Sequence, residues 1–569
     1  MPAPSPSDTT SAPWRSVAWL ALGFALLRVI YLAFLSPYEL AADEAHYWEW
    51  ARRPALSYYS KGPGIAWTIL AGTSLLGDTE LGVRLFAALF SGVTTFAVGL
   101  TAARFATPAT ARSAAITAGL LLNALPAYQV TSVLMTIDGP YLACWALAMA
   151  SAWRMLRRAD QFKAWSPADA ALLGLALGLG FLYKYTVLLF IPGLLLHLAI
   201  QHRSLRQLRG APLAGLLGLA VFIACISPVL IWNHLEGWPT VKHLLGHANL
   251  QGGDIPQAQR AYDPRWTLEY LGTQLGILGP FAWWLMIRAV RRSAPASPGP
   301  GTPSDTPLAT IAPGAVCFAV CLAIPTLAFY FVLSFKTDIE GNWPIACYLS
   351  LIALAGAYTA QQLAAWRESV RVWWALPEPR PRAGRFTARP SHPDQVAWHW
   401  ALGFGLIACV VTHAMPLLKP LPLIGPKLPV HRLTGHRQTA LELRALLDAH
   451  SPADGTQPIL VADHYMIASL LAFYSPGHPT LRSAASRLGN RKNQYDHFPD
   501  TRLDDPQLAG RWVVLVGANS KAWRDALSVE QLRQRGEIGR GRHRWAVYTA
   551  RFKPAAAAPT SGAPSGAKP

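Results

Sequence analysis

Runs of about 20 apolar residues return along the first three-quarters of the chain, each long enough to cross a hydrocarbon core of about 30 Å. The first covers 17–35. It lacks a small-residue cleavage site and so reads as a retained helix, not a signal peptide. Further candidates follow at 82–103, 113–134, 140–156, 168–182, 186–201, 211–232, 267–287, 310–335, 343–363 and 397–416, which makes eleven. The two short halves of 168–201 are read as a hairpin turning at Lys184 and Tyr185. An apolar stretch at Gly64–Leu76 is too short to span and is expected to lie along the outer interface or re-enter it. Beyond Leu417 the pattern shortens to that of a small soluble α/β domain. A helix is predicted at 439–450, strands at 459–463, 512–518 and 544–552, and a second helix around 466–473.

Arginine placement orients the spans, because cytoplasmic loops carry the excess of basic residues. Clusters stand at every second gap: Arg104 and Arg112; Arg154, Arg157, Arg158 and Lys163; Arg203, Arg206 and Arg209; Arg288, Arg291 and Arg292; and Arg367 and Arg371 leading to Arg389. The N-terminus is thereby expected in the cytoplasm, and the C-terminal domain outside. The expected organisation is a disordered N-terminus (1–13), a membrane domain (14–416) with outer loops at 36–80, 232–266 and 333–343, an outer α/β domain (417–553) and a disordered tail (554–569).

Composition agrees with this pattern. Of 569 residues, 52% are hydrophobic and 14% charged, where an ordinary soluble domain carries about 25% charge. The net charge of +19 is accounted for by the loop arginines, so no nucleic-acid partner is implied. The six cysteines all fall in apolar stretches without a pairing pattern and read as small packing residues; for Cys317 and Cys321, four apart on one helical face, redox or metal chemistry is the alternative.

Acidic residues are scarce, so their positions are informative. Helix-forming composition at 42–50 puts Asp43, Tyr47 and Trp50 on one face, just after the first span. A carboxylate pair among aromatics at headgroup level suits general-base work on a sugar or lipid; an interfacial helix with Trp and Tyr anchors is the alternative. Lys61 stands in the Gly/Pro-shaped turn Tyr58 to Gly64, placed either to hold a lipid phosphate or to snorkel. Asp138 stands at the outer end of the third span, in a gap with no basic residue, where it could also be a helix N-cap for the next span. Two further outer loops repeat the theme. One carries Lys242, His243 and His247; the other, between the ninth and tenth spans, runs from Lys336 to Pro344. His243 and His247 have the spacing of helical metal ligands but lack the H-E-x-x-H pattern, so they are weak candidates for a metal.

Taken in order, these motifs resemble the GT-C membrane glycosyltransferases. They are Asp43-Glu44, Tyr59-x-Lys61-x-Pro63, Thr136-x-Asp138, Gly180 to Tyr185, Pro228 to Trp238 and Glu340-x-Asn342-Trp343-Pro344. The branch most similar is that of the dolichyl-phosphate-mannose protein mannosyltransferases and the bacterial aminoarabinose transferases of lipid A. The segment Asn490 to Asp496 is similar to one common in the bacterial members. The resemblance implies a polytopic α-helical fold of about eleven spans with a small outer α/β domain. It further implies Asp43 as catalytic carboxylate, Asp138 as a second acid near the acceptor, and Lys61 as a donor-phosphate contact, with Lys336 and Lys184 as further phosphate contacts. Glu44, Tyr47, Tyr59, Glu340, Asn342 and Trp343 are expected to position substrate.

The implied reaction is inverting transfer of one sugar from a polyprenyl phosphate to lipid A, another glycolipid or a protein, on the periplasmic face of a bacterial inner membrane. The donor carries its own activation, and no Walker or dinucleotide-binding motif occurs. No cofactor is required, although a divalent metal is possible. In the aminoarabinose transferases a glutamate implicated in metal binding precedes the loop lysine. Here Ser60 stands before Lys61, which puts both the metal and an amino-sugar donor in doubt. A transporter or lipid flippase is the alternative class, but it should carry charges near mid-bilayer.

Overall fold

The computed structural model describes residues 13–201, 210–247, 250–254, 262–293, 311–375, 391–423, 425–450, 455–541 and 543–553. The expected disordered termini lie almost wholly outside these residues, as do Arg203, Arg206, Arg209 and the segment 376–390. In chain order the helices begin with α1 (Pro13–Ile30, continued by a π turn over Tyr31–Leu35), α2 (Ala42–Ala51), α3 (Gly64–Leu76), α4 (Glu80–Phe105), α5 (Ala111–Ala124) and α6 (Pro126–Thr131). Then come α7 (Asp138–Phe162), α8 (Pro167–Tyr183), α9 (Phe190–Gln201), α10 (Ala211–Leu235), α11 (Pro239–His247) and α12 (Pro264–Leu278). The series continues with α13 (Pro280–Ser293), α14 (Ala315–Leu333), α15 (Tyr348–Ala375), α16 (Pro393–His413) and α17 (Met415–Leu418). The C-terminal part holds α18 (His436–His450), β1 (Ile459–Ala462), α19 (Tyr465–Tyr474), β2 (Leu481–Ser483), β3 (Trp512–Gly517), α20 (Ser520–Ala526), β4 (Val529–Arg540) and β5 (His543–Phe552).

Every apolar segment read from the sequence lies on a helix or on consecutive short helices. Among the described residues five helices, those at Pro13–Leu35, Glu80–Phe105, Ala211–Leu235, Ala315–Leu333 and Pro393–His413, are long and apolar enough to cross a membrane, and the chain is a multi-pass membrane protein. The hairpin within 168–201 breaks at Lys184, whose extended backbone (φ −148°, ψ 118°) ends α8 before a 3-10 turn leads into α9. Caps set several starts: the Ser166 and Asp263 side chains accept backbone N–H groups of Asp169 and Arg265, each followed by proline at the first helical position.

The chain divides into two compact units, one of residues 1–37 and 53–428, the other of 38–52 and 429–569. In the first unit α7 and α15 are the most enclosed: Trp145 and Trp153 are buried, as is all of α15 from Tyr348 to Gln361. A helix apolar all round needs such a setting. At the arginine-bearing helix ends two acids are buried. Asp394 accepts from Arg288 (2.9 and 3.1 Å), Trp284 (3.1 Å) and Tyr358 (2.6 Å), tying α13, α15 and α16 together. Asp169 pairs with Arg154 and Arg158. The sequence reading passed over both acids.

The second unit is a five-stranded sheet of order β2-β1-β3-β5-β4. β1 runs parallel to β2 and β3, and β5 is antiparallel to β3 and β4. Val461, Leu515, Trp523, Tyr548 and Phe552 fill its core. α2 belongs to this unit, whereas the sequence reading assigned it to the membrane part. Trp48 packs edge-on against Phe473 (5.0 Å) and His478 (5.2 Å). The Glu39 carboxylate accepts the first backbone N–H groups of α18, from His436 and Arg437, the end of a helix that favours negative charge.

Candidate functional site

The first unit gathers its polar residues around Asp138, the opening residue of α7. Asp138 does not act as an N-cap, since its carboxylate is engaged elsewhere. Lys184 Nζ donates to one oxygen at 2.8 Å and Asn342 Nδ2 to the other at 2.6 Å. Thr136 Oγ1 accepts the Asp138 backbone N–H at 3.4 Å, which explains the Thr-x-Asp spacing locally. Asp138 is 4% and Lys184 8% exposed, so this is a buried, charge-assisted pair that holds only while both partners are present. Lys184 also stands 5.3 Å from the centre of the Tyr141 ring. Two expected substrate contacts, Lys184 and Asn342, are thus directed onto Asp138.

Asn342 is set by its own loop. Gln274 Nε2 donates to the Gly341 carbonyl (3.2 Å), Tyr348 hydroxyl donates to Gln274 Oε1 (3.0 Å), and Trp343 lies 5.8 Å from Tyr330. Behind the loop a cavity of about 620 Å³ opens between α12, α13, α14 and α15, lined by Leu275, Trp283, Leu327 and Phe331, with Gln274 and Tyr348 also on its wall. Glu340 and Lys336 are exposed on the same connection.

Lys61 sits in a tight turn whose carbonyl accepts from the Tyr58 N–H (3.1 Å) and the Ser57 hydroxyl (3.3 Å). Gly62 is pressed on the backbone of Leu182, at the end of α8, and a Cβ there would collide with the Leu182 carbonyl. The turn therefore abuts the residue pair that precedes Lys184. Tyr59 beside it is buried; its hydroxyl donates to Asp254 and lies 3.1 Å from His243 Nδ1. His243 Nδ1 is taken up by its hydrogen bond to Tyr59, and Ser60 supplies no carboxylate before Lys61. The side chain of His247 is outside the described residues.

Asp43 stands in the second unit, exposed in the first turn of α2. The helix beneath it is fixed by His46, whose Nδ1 lies 3.2 Å from Ser469 Oγ and whose ring stacks on Tyr495 at 5.6 Å. Burial, reinforced by the charges of His464 and Arg491, pushes the His46 imidazole down to about 3, so it stays neutral. Burial, and then the charge of Asp43, hold the Tyr465 phenol above its ordinary range, while Arg491, 3.3 Å from that phenol, pulls the other way. Tyr465 and the Asn490 to Asp496 segment thus form the immediate surroundings of α2. Glu44 is fully buried and accepts the Ala41 N–H at 2.8 Å, a capping contact. Tyr47 meets Trp50 edge-on at 5.1 Å. Sequence reasoning missed Gln274, Tyr330 and Asp254, none of which stands in a motif.

Residues 60–232 match the family model described as dolichyl-phosphate-mannose-protein mannosyltransferase. The lipid A galacturonosyltransferase RgtD of Rhizobium johnstonii is 31% identical over 279 residues, 49% of this chain and 54% of that protein. The chain therefore spans about half the length of this curated relative. The fold is similar to that of ArnT from Cupriavidus metallidurans. Its apo crystal structure superposes with a TM-score of 0.55 at 16% identity, over 94% of this chain and 98% of ArnT. The structure of ArnT bound to undecaprenyl phosphate gives 0.53 at 15% identity, over 93% and 97%. Family pattern over 60–232 and fold over nearly the whole chain together bear out the resemblance to the GT-C membrane glycosyltransferases.

Proposed function

We propose that this chain transfers a single sugar from a polyprenyl-phosphate donor to a cell-envelope glycolipid of the lipid A type, at the periplasmic face of a bacterial inner membrane. The observation that carries the reading is the buried Asp138 carboxylate held between Lys184 and Asn342, with the Lys61 turn seated on the end of α8. Support for the substrates comes from a relative named as a lipid A galacturonosyltransferase and from a fold relative crystallised with undecaprenyl phosphate. The former, with Ser60 in place of a glutamate, favours a uronic acid over an amino sugar.

In the proposed reaction Asp43 takes the proton of an acceptor hydroxyl. The oxygen attacks the anomeric carbon, the bond to the phosphate oxygen breaks, and the polyprenyl phosphate leaves with the bonding pair. Single displacement inverts the anomeric configuration. Lys61 meets the donor phosphate before reaction and its growing charge during it. Lys184 and Asn342 hold the Asp138 carboxylate in place, and Asp138 orients the acceptor. Lys336 is the second cation assigned to the phosphate. The largely apolar cavity beside the Gly341-Asn342 loop suits a lipid chain.

Two variants test the division of roles. Asp43→Asn should abolish transfer while leaving donor affinity unchanged. Lys61→Met should weaken binding of a short-chain polyprenyl-phosphate sugar by about ten- to a hundredfold, the weight of a charge-assisted contact. Undiminished turnover by Asp43→Asn, or equal donor affinity in wild type and Lys61→Met, would refute the assignment.

A further inference from the structure

Away from the site just described, α9 and α14 pack closely against each other. Gly193 of α9 lies against the backbone of Cys321; a Cβ on it would stand 2.7 Å from the Cys321 carbonyl oxygen and 2.9 Å from Leu322 Cα. One turn further along α9, His197 is carried to the same face of α14, its ring edge-on to Phe318 at 5.3 Å. The Cys317 and Cys321 sulfurs, one turn apart, are 3.7 Å from each other. One ligand atom from each of His197, Cys317 and Cys321 lies within 4.8 Å of the other two. His197 is 1% and Cys321 3% exposed.

We propose that His197, Cys317 and Cys321 bind a divalent, borderline-soft metal ion, zinc foremost, which pins α9 to α14. Two physical arguments converge. A tetrahedral ion with metal–sulfur bonds of about 2.3 Å sets its two sulfurs roughly 3.8 Å apart, the span these cysteines already hold. Sulfurs at that separation are not a disulfide, in which they are about 2.05 Å apart. Charge also balances: two thiolates and a neutral imidazole cancel a divalent ion, leaving no net charge to bury in the apolar interior. On binding, each thiol gives up its proton to solvent, two per ion, so affinity should rise with pH. Among the described residues no fourth histidine, cysteine or carboxylate joins the group, so the remaining position falls to water or a small exogenous ligand. The role is structural and independent of the transfer reaction.

Cobalt(II) is the probe that tests this, used on the full-length protein purified in detergent and stripped with a chelator. The wild type should take up one equivalent with a thiolate-to-cobalt charge-transfer band, displaced by zinc, and zinc should raise its melting temperature. Cys317→Ser/Cys321→Ser keeps Cys144, Cys225, Cys347 and Cys409 and should lose the band. His197→Gln should keep the band but bind roughly tenfold or more weakly, since loss of even an outer-shell partner costs that much. Absence of the band from the wild type at saturating cobalt would overturn the proposal without reference to any variant and leave the cysteines as packing residues only. A band that survives in the double-serine variant would overturn it equally.

Discussion

Asp138 and Lys184 show what single residues disclose and what they hide. Thr136-x-Asp138 was visible as a motif, and Asp138 could be set at a helix start, because those features are local. Its partners were not visible: Lys184 is 46 and Asn342 204 residues further along, and only tertiary packing selects them. The pairing makes a stability prediction distinct from the catalytic one. Lys184→Met strands a buried carboxylate, which should cost about 3 to 5 kcal/mol and lower the melting temperature sharply. Asp138→Asn/Lys184→Met removes both charges and should recover most of that loss without recovering transfer. Thermal unfolding of the two variants in detergent checks this; a double variant no more stable than Lys184→Met would mean that the charges are not coupled.

Among the elements, those with an uninterrupted apolar run or clean periodicity were legible, including α3 at the same residues and the break at Lys184. The missed strands have physical reasons: β2 has only three residues, and β4, at the sheet edge, is rich in Glu, Gln and Arg with no apolar alternation. The membership of α2 in the C-terminal unit was equally hidden, since it rests on Trp48 meeting Phe473 across the length of the chain. Gly62→Ala tests the element that presents Lys61. Its methyl would strike the backbone of Leu182, which cannot yield as a side chain does, costing about 1 to 3 kcal/mol. Donor affinity should fall as in Lys61→Met although no charge is lost; unchanged affinity would show the turn to be tolerant. In the sheet unit, burial raises the Asp463 carboxyl from 3.8 to about 6. Between about pH 4 and 6 the folded state therefore keeps a proton that the unfolded chain has released. Stability should fall as pH rises through that window, by on the order of 1 to 2 kcal/mol, and level off above it. Hydrogen exchange of β1 and β3 amides in the full chain should follow that curve, and Asp463→Asn should flatten it.

For the whole molecule, apolar patterning conveyed the membrane unit and the small sheet unit, while the arginine clusters carried a second meaning that the sequence concealed. Arg154, Arg158 and Arg288 are partners of the buried acids Asp169 and Asp394, so part of the charge read as a topological signal also locks helix ends together. The candidate site was legible where its residues are scarce types, such as Lys61 and Asp138. It was illegible where common residues such as Gln274 set a loop. The central claim is sugar transfer between lipids, and it is tested most directly with the purified full-length protein in liposomes. These would contain a synthetic polyprenyl-phosphate uronic acid and a lipid A acceptor, with products read by mass spectrometry. Transfer should give an acceptor heavier by one sugar residue, one polyprenyl phosphate released for each, an inverted anomeric centre, and loss of all product with Asp43→Asn. Movement of the intact donor across the bilayer without any new glycosidic bond would contradict it and identify a transporter.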